Sequence, residues 1–303
     1  MSPRFDILGL GCTAVDELLF VDSFPSADGK ARVQRRERHC GGLTATALIA
    51  AARLGGNCAF AGVLGRDEQS RFVLESLQQE KVGTTHVVRR LDARPIQSTV
   101  VVNERRKTRA IFFDTNNVWG ADPNAPTEKV IRSARVLLVD NFGIDGMIRA
   151  TRIARAAGIP VVADFESSDL PGFNRLLARV DHLILAEGFA CDFTGARHAA
   201  EAARALWTNS RQAVIVTCGA RGCYYVSAGD RSPKSMPAFR IKARNTTGCG
   251  DVFHGAYALA LARNLELKER IRFASAAAAC KATQEDDLPT PKLVNKLLKR
   301  FQP

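Results

Sequence analysis

The most informative stretch of this chain spans residues 245–255 and reads Asn245-Thr246-Thr247-Gly248-Cys249-Gly250-Asp251-Val252-Phe253-His254-Gly255. Gly248 and Gly250 have no Cβ, so the backbone there can come close to a ligand and leave its N–H groups unobstructed. Residues 252–262 are apolar on nearly every side, which predicts a buried helix over residues 250–263. The first turn of that helix would present free N–H groups and the positive end of the helix dipole, which together suit a phosphate group.

Asp251 lies at the start of the predicted helix. A carboxylate beside an anion site is useful if it accepts the proton of a hydroxyl group while the amides hold the phosphoryl group under attack. Phosphoryl transfer depends mainly on positioning and charge stabilisation, and this turn would supply both. The alternative is that Asp251 only caps the helix or interacts with its dipole, because acidic residues are common at helix starts.

Outward from this turn, short apolar runs alternate with helical stretches through most of the 303 residues. This alternation predicts an α/β fold of three layers, in which helices cover both faces of a mainly parallel sheet. The predicted strands are residues 6–11, 58–63, 136–140, 160–164, 182–185 and 213–217. The predicted helices are residues 44–54, 67–79, 146–157, 199–207, 250–263, 267–283 and 291–301.

Two stretches break this alternation. Residues 15–21 predict extended chain, and residues 98–113 predict a β-hairpin whose polar turn is residues 103–108. Phe112 and Phe113 are expected to pack within the hairpin rather than line a ligand site. The small β-lid that we expect comprises about residues 13–38 and 95–115, inserted in a single domain over residues 1–303.

A glycine motif near the N-terminus argues against a dinucleotide-binding enzyme. Gly9, Gly11 and Ala14 match the pattern G-x-G-x-x-A after a predicted strand. That pattern binds pyrophosphate only if a helix begins at its third small residue, and here extended chain follows.

The formal net charge is +12, and the basic residues are spread along the chain except for one cluster. No zinc finger and no aromatic stripe accompanies the cluster, so a solvated or substrate-facing role is favoured over nucleic-acid binding. We therefore expect no nucleic-acid partner. The cluster consists of Lys30, Arg32, Arg35, Arg36 and Arg38.

No apolar run is long enough for a membrane span, and the first residues lack a basic-then-apolar leader pattern. These observations predict a cytoplasmic protein without a membrane partner. The eight cysteines contain no Cys-x-x-Cys pair, so reduced thiols are expected rather than a zinc site or a disulfide scaffold.

The stretch from Asn245 to Asp251 resembles the D-T-T-G-A-G-D signature of the ribokinase-like (PfkB) carbohydrate kinases. The resemblance extends along essentially the whole chain and implies the ribokinase-like fold. It implies that Asp251 is the general base and that the amides of Gly248, Cys249 and Gly250 form the anion hole. Asn245 and Cys249 replace the family's Asp and Ala, and neither change removes an amide or the base.

The diglycine Gly41-Gly42 and the predicted helix after it resemble a second motif of this family, an N-terminal diglycine followed by a helix. The resemblance implies that the diglycine is a hinge and a backbone contact to the sugar, and that Asp16 binds sugar hydroxyls. A carboxylate can accept hydrogen bonds from two neighbouring hydroxyl groups, which fits this role. Thr46 stands where the family commonly has asparagine and is expected to contact the substrate in its place. Asn141, directly after the predicted strand 136–140, is also expected to contact the substrate.

The nucleotide site is expected at the segments after two other strands. Residues 217–222 resemble the family's T-x-G-x-x-G motif, which implies that Thr217, Gly219 and Gly222 border ATP; the residues alone fit a tight hairpin turn equally well. Glu187 is assigned to the same site, although Ala186-Glu187-Gly188-Phe189 departs from the family's N-x-x-E.

Asp164 and Glu187 are the expected Mg²⁺ contacts, through water, since Mg²⁺ needs few protein carboxylates. The alternative for each is a carboxylate at a strand end without metal. The segment 283–289 is shorter than the family's glycine-containing loop, so use of a monovalent cation is left open.

The resemblance implies ATP-dependent phosphorylation of a hydroxyl group on a sugar-like molecule. Within the family, the chain looks most like the branch of sulfofructose kinase and ketohexokinase-like proteins. A nucleoside kinase is one alternative. A catalytically silent sugar or nucleotide sensor is another, because Ala186 and Phe189 have replaced Asn and Glu. A homodimer through the lid, and recognition of an anionic substrate by the basic cluster, are further expectations.

Overall fold

The computed structural model describes residues 4–106, 108–284 and 288–300. Residues 285–287 of the predicted short loop, Lys107 of the predicted lid and Phe301 of the last predicted helix lie outside the described residues. The strands are Phe5–Leu10 (β1), Ala14–Val21 (β2), Val33–Gly41 (β3), Cys58–Phe60 (β4), Val63–Leu64 (β5), Val88–Arg89 (β6), Ile96–Asn103 (β7), Thr108–Asp114 (β8), Ala134–Val139 (β9), Val161–Asp164 (β10), His182–Ala186 (β11), Ala213–Thr217 (β12), Cys223–Ser227 (β13) and Asp230–Met236 (β14). The α-helices are Leu43–Arg53 (α1), Glu68–Gln79 (α2), Glu128–Ile131 (α3), Ile144–Ala156 (α4), Phe173–Leu177 (α5), Glu187–Thr194 (α6), Ala199–Ala205 (α7), Cys249–Ala262 (α8), Leu267–Thr283 (α9) and Pro291–Arg300 (α10).

The central sheet has the strand order β14-β13-β12-β11-β10-β9-β1-β4. Its strands from β12 to β4 run parallel, and β13 and β14 are antiparallel. This confirms the predicted α/β fold with a mainly parallel sheet. From β1 the chain passes first to β4 on one side and later to β9 on the other, so the connections diverge between β1 and β9. Open α/β sheets bind ligands at such a switch point, beyond the carboxyl ends of the strands.

Successive strand residues point into two different cores because side chains alternate across a sheet. Val136 and Leu138 of β9 belong to the core that contains α1, α2, α8 and α9, whereas Leu137 and Val139 belong to the core that contains α4. Helix α8 is buried on all sides from Val252 to Ala262. The helix that was predicted from the apolar run is therefore present, and its first turn is fixed at the carboxyl edge of the sheet.

Helix α8 crosses α1 at Gly255, where the two backbones come close together. A Cβ on Gly255 would lie 2.7 Å from the carbonyl carbon of Ala47 and still closer to its oxygen. Gly255→Ala should therefore lower the free energy of unfolding by about 1–3 kcal/mol, because neither backbone can move away inside a packed core. Thermal denaturation measures this loss.

The control for this variant is Gly188→Ala in α6, where an added Cβ would meet no atom within 4 Å. Alanine favours the helix over glycine by up to about 1 kcal/mol, so this variant should be as stable as the wild type or more so. Equal stability of the two variants would contradict a close crossing of α1 and α8.

A four-stranded sheet with the order β3-β2-β7-β8 lies apart from the central sheet, and we call it the lid sheet. The extended chain predicted at residues 15–21 is β2, and the predicted hairpin is the antiparallel pair β7 and β8. Strand β3 was not predicted as a strand, because its charged residues on both faces hide the polar and apolar alternation of a half-buried strand. The assignment of the chain to a single domain stays a prediction.

The expectation that Phe112 and Phe113 pack within the hairpin is wrong. Phe112 is 64% exposed and Phe113 is 70% exposed. They are neighbours in β8 and face opposite sides of the lid sheet, opposite Thr99 and Ser98 respectively.

Strands β13 and β14 and helix α6 were not predicted from the sequence. Helix α6 contains Gly188, which weakens its helical pattern.

The structure also bears on the N-terminal motif, the cysteines and the membrane expectation. Extended β2 follows the Gly9–Ala14 motif, so no helix is available there for a dinucleotide. All eight cysteines are free, and four of them are buried. In the described part of the chain no helix is long and apolar enough to cross a membrane.

Candidate active site

Four carboxyl groups lie close together where β9 and β10 end and α8 begins. Asp140 follows β9, Asp164 ends β10, and Glu166 comes two residues later. Asp251 lies in the first turn of α8, and its pKa responds to both Asp164 and Glu166. Asp140 is fully buried, and Asp164 is 7% exposed. The predicted residues Asp164 and Asp251 are thus brought together, whereas Asp140 and Glu166 were missed, although Asp140 ends one predicted strand and Glu166 comes two residues after another.

The glycine turn leads directly into α8. Gly248 adopts a left-handed conformation with φ of 74°, which glycine tolerates best. The N–H of Cys249 donates to the carbonyl of Thr246 over 3.3 Å. Among the described residues, the N–H groups of Gly248 and Gly250 have no acceptor. The turn therefore offers these two amides as ready donors, while Cys249, the third predicted donor, is already engaged.

The carboxyl group of Asp251 lies beside this turn, and no described residue donates a hydrogen bond to it. A Cβ on Gly248 would lie 3.8 Å from Asp251 Oδ2 and 3.6 Å from Thr46 Cγ2, so Thr46 and Asp251 meet over the turn. Burial, followed by the charges of Asp164 and Glu166, raises the pKa of Asp251 well above its usual range. A carboxyl group with a raised pKa binds a proton more strongly, which suits a group that must take one from a hydroxyl.

Asp16 lies on β2 against the diglycine. A Cβ on Gly41 would lie 3.1 Å from Asp16 Cγ, and one on Gly42, with φ of 94°, would lie 2.7 Å from the backbone of Thr13. Ser98 donates a hydrogen bond to Asp16 Oδ1. Burial raises the pKa of Asp16, and the charge of Asp16 in turn raises the pKa of Asp251. The predicted sugar-binding residues Asp16, Gly41 and Gly42 therefore lie on the same side of the molecule as Asp251.

Strand register places four side chains in one row across the lid sheet. Asp16 pairs with His39 on one side and with Ser98 on the other, and Ser98 pairs with Phe113. Paired residues point to the same face of a sheet, so His39 and Phe113 flank Asp16 and Ser98 on the face of the lid sheet that carries Asp16. His39 and Phe113 were not predicted as site residues; the register of all four strands brings them into the row of Asp16.

Two residues of the basic cluster 30–38 are directed away from this face, whereas Arg35 pairs with Phe20 and lies on the face of Asp16. Arg36 and Arg38 pair with Leu19 and Glu17, the residues of β2 that point opposite to Asp16. Arg38 forms ion pairs with Glu17 and with Glu68 of α2. These contacts do not support the expectation that Arg36 and Arg38 recognise an anionic substrate.

Asp140 binds the loop after β1 to the start of α1. Its Oδ2 accepts hydrogen bonds from the Cys12 N–H at 2.7 Å and the Thr44 hydroxyl at 2.8 Å, and its Oδ1 accepts from the Phe142 N–H at 2.8 Å. Burial raises the pKa of Asp140 to about 6. The neighbouring Asn141 is 4% exposed. Its predicted substrate contact would depend on the side-chain amide, which faces the loop of Glu166.

The residues predicted to border the nucleotide form a second group at the ends of β11 and β12. Thr217 ends β12 in register with Ala186, the last residue of β11. Gly219 and Gly222 have φ of 57° and 94° and form the turn into β13. Glu187 begins α6 and forms an ion pair with Arg221 of that turn. Three strand spacings, about 14 Å, separate β12 from β9, which is enough for a nucleotide to lie along the sheet edge toward Asp251.

Within the described residues, no group of three or more His, Cys, Asp or Glu side chains is placed to hold a metal ion. Asp164 Oδ2 is buried without a hydrogen-bond partner there, and it lies 3.0 Å from His254 Nδ1. Burial, followed by the charge of Glu166, raises the pKa of Asp164 well above its usual range. Asp164 is therefore better placed for a cation than Glu187, whose carboxylate is paired with Arg221.

Kinases of ribose and of a riboside resemble the chain over most of its length. It is 28% identical to mouse ribokinase over 243 residues, which are 77% of this chain and 75% of the relative. It is 27% identical to the aminoimidazole riboside kinase of Salmonella typhimurium over 284 residues, 85% of this chain and 87% of the relative.

Solved structures match the fold equally well. A putative ribokinase from Agrobacterium tumefaciens superimposes with a TM-score of 0.91 at 25% identity, covering 98% of each chain. Ribokinase from Arabidopsis thaliana, complexed with ribose and ATP, superimposes with a TM-score of 0.85 at 23% identity, covering 100% of each chain. The sequence model of the pfkB family carbohydrate kinases matches residues 6–292. With this match and the ribokinase fold, the chain belongs to the pfkB family of carbohydrate kinases and is a phosphotransferase.

Proposed function

We propose that this protein transfers the γ-phosphoryl group of ATP to a hydroxyl group of a sugar or sugar-like molecule. The observation that carries the proposal is the Asp251 carboxyl group, which receives no hydrogen bond from a described residue, beside the free amides of Gly248 and Gly250. A base and an anion site side by side are what attack of a hydroxyl on a phosphoryl group requires.

In the proposed reaction, Asp251 accepts the hydroxyl proton as the hydroxyl oxygen attacks the γ-phosphorus. The new P–O bond forms while the bond to the β-phosphate oxygen breaks, and ADP leaves with that electron pair. The amides of Gly248 and Gly250 stabilise the negative charge on the transferring group because their direction is fixed before the reaction. Asp16 accepts hydrogen bonds from other hydroxyl groups of the substrate and so orients the reacting one.

ATP is proposed to lie along the carboxyl edge of the sheet, from the turn of Thr217, Gly219 and Gly222 toward α8. Glycine at positions 219 and 222 lets the backbone approach a nucleotide closely. The Glu187–Arg221 ion pair joins α6 to this turn and so supports its shape. The complex of Arabidopsis ribokinase with ribose and ATP supports a nucleotide site on this fold.

The residues present fit a Mg²⁺ ion held largely through water. The unpartnered buried oxygen of Asp164, with Glu166 beside it, suits a hard cation that keeps several of its waters. When bound, Mg²⁺ would neutralise charge on the phosphates.

A panel of free sugars, sugar phosphates, sugar acids and nucleosides, assayed for ADP release with purified protein and Mg²⁺, tests the proposal. Phosphorylation of a sugar or nucleoside hydroxyl is expected. Nucleotide binding without phosphate transfer to any member of the panel would favour the sensor alternative instead.

A nucleoside substrate is the second candidate, because Phe113 lies in the Asp16 row and is largely exposed. An aromatic ring two strands from the hydroxyl-binding carboxylate, about 10 Å away, could stack on a base whose ribose is held by Asp16. Phe113→Ala should then raise KM for nucleosides about tenfold and leave KM for free pentoses unchanged.

Phe112→Ala is the control for Phe113→Ala, since Phe112 is equally exposed but faces the other side of the lid sheet. Equal effects of the two variants on every substrate would argue against a base-stacking role for Phe113. The exposed Phe112 also supports a homodimer through the lid as part of the proposal, which the molecular mass in solution would test. A cytoplasmic location belongs to the same proposal.

A further inference from the structure

His254 lies on α8, three residues after Asp251, and makes polar contacts in the core. It is 4% exposed. Its Nδ1 lies 2.8 Å from the carbonyl oxygen of Gly250 and 3.0 Å from Asp164 Oδ2, and its Nε2 lies 3.0 Å from the carbonyl oxygen of Ile184. Only a nitrogen that carries a proton donates a hydrogen bond, so a neutral ring donates to one side and packs against the carbonyl on the other.

The two carbonyl groups belong to the two structures that form the site. The Gly250 carbonyl shares its peptide plane with the N–H of Asp251, because one peptide unit joins the two residues. Ile184 lies on β11, in register with Asp164 on β10. The His254 ring therefore connects the glycine turn of α8 to the carboxyl edge of the central sheet.

A helix start needs such support, since its first N–H groups have no acceptor within the helix and its first turn frays most easily. The preceding residue Gly248 is in the left-handed region, so the backbone can change direction there. The hydrogen bond of Val252 N–H to the Gly248 carbonyl, at 3.0 Å, holds the turn from one side. His254 contacts the carbonyl of the peptide unit two positions further on, between Gly250 and Asp251, from the side of the sheet.

We propose that His254 is a positioning residue, which fixes the peptide plane of Gly250 and Asp251 against β11 and thereby aims the anion-hole amides and the base. The proposal rests on the proposed function, because it assigns His254 a role in phosphoryl transfer. It makes His254 act through the turn, without contact to sugar or nucleotide.

This role affects the transition state more than the bound ground state. Preoriented donors contribute where charge develops during transfer, so loss of their support should lower kcat. In metal sites, loss of a residue that orients a ligand costs about ten- to a hundredfold in activity, and we expect a loss of the same order here. The dissociation constant of ADP, which lacks the transferring group, and the KM of the sugar, which is held by the lid sheet, should stay within about twofold.

The test compares His254→Gln, which keeps one donor and nearly the same shape, with His254→Leu, which keeps none. We expect kcat to fall in the order wild type, His254→Gln, His254→Leu, without a matching change in ADP affinity. Partial rescue by Gln is expected from a hydrogen-bonding role and not from packing alone.

His182 supplies the matched control. It is 3% exposed, and its Nδ1 lies 3.0 Å from the hydroxyl group of Tyr257 on the same helix α8, but it begins β11 and lies at the opposite edge of the sheet. His182→Gln and His182→Leu should lower the thermal midpoint as much as the His254 variants do while leaving kcat within about twofold.

Equal losses of kcat in His182 and His254 variants of equal stability would overturn the proposal, as would a folded His254→Leu protein with unchanged kcat.

Hydrogen exchange in the absence of substrates gives a measurement that does not depend on turnover. The amides of residues 252–254 should exchange slowly in the wild type and faster in His254→Gln. If the wild type phosphorylates nothing, the proposed function fails by itself, and the positioning role is then decided by exchange alone. Fast exchange of these amides in the wild type, or equal exchange in the wild type and His254→Gln, would overturn the positioning role of His254. This holds even if neither Leu variant folds.

Discussion

Asp251→Asn should lower kcat by about 10²- to 10⁴-fold, the contribution that a well-placed general base makes. Asparagine has nearly the same shape as aspartate but cannot accept a proton from the attacking hydroxyl. Nucleotide affinity should remain close to that of the wild type, because the base contributes to the transition state and not to ground-state binding. Steady-state kinetics together with calorimetric titration of ADP separates the two quantities.

The same substitution should make the protein more stable at neutral pH. Burial and the charges of Asp164 and Glu166 raise the pKa of Asp251, so the folded protein binds this proton more tightly than the unfolded chain does. The stability that comes from the protonated form is therefore lost as the pH rises through the raised pKa. The amide of the variant stays neutral at every pH, so its advantage in thermal midpoint should be largest above that pKa and should shrink as the pH approaches about 4.

Asp145→Asn is a matched control for Asp251→Asn. Asp145 also lies in the first turn of a helix, α4, whose preceding glycine, Gly143, has φ of 85°, but its side chain is exposed. The control should leave kcat unchanged. Full activity of Asp251→Asn, or equal losses in both variants, would reject Asp251 as the base.

Asp16→Asn should lower kcat/KM by about a hundredfold or more, mainly through a higher KM for the sugar. Hydrogen bonds to a charged acceptor are worth about 1.5–3 kcal/mol each, and two substrate hydroxyl groups would lose their charged acceptor. The neutral amide also brings its NH₂ group toward donors, which leaves one of them without an acceptor. Initial rates over a range of sugar concentrations at saturating ATP measure the effect.

Glu17→Gln is the control for this prediction, because Glu17 is the next residue of β2 and points to the other face, where it pairs with Arg38. An exposed pair of this kind contributes little, so kcat/KM should stay within about twofold. If Asp16→Asn leaves KM unchanged, or if Glu17→Gln raises it equally, the sugar is held elsewhere.

The sequence was sufficient for the parallel strands of the central sheet and for the glycine turn before α8, because both depend on local patterns. The buried strands are continuous apolar runs, and the run after Asp251 could only be a buried helix. The hydrogen bond from Cys249 to Thr246 could not be predicted, since it depends on the direction of a single carbonyl group.

The rest of the site depends on contacts between distant parts of the chain. His39 and Phe113 reach the Asp16 row only through the register of strands that are distant in sequence. His254 could be recognised as buried, but its two carbonyl partners come from α8 and from β11, seventy residues earlier in sequence. No local pattern of polarity carries such information.

The glycine turn before α8 and the lid-sheet residues beside Asp16 should differ in how well they tolerate amino-acid substitutions. The glycine turn continues into a helix that is enclosed on every side, and at Gly255 there is no room for a side chain beside α1. His39 and Phe113, in contrast, lie on lid strands whose side chains are largely open to solvent. Mutational libraries that seek a new acceptor should therefore concentrate on positions 39 and 113, where variants can fold, and leave positions 248–255 as they are.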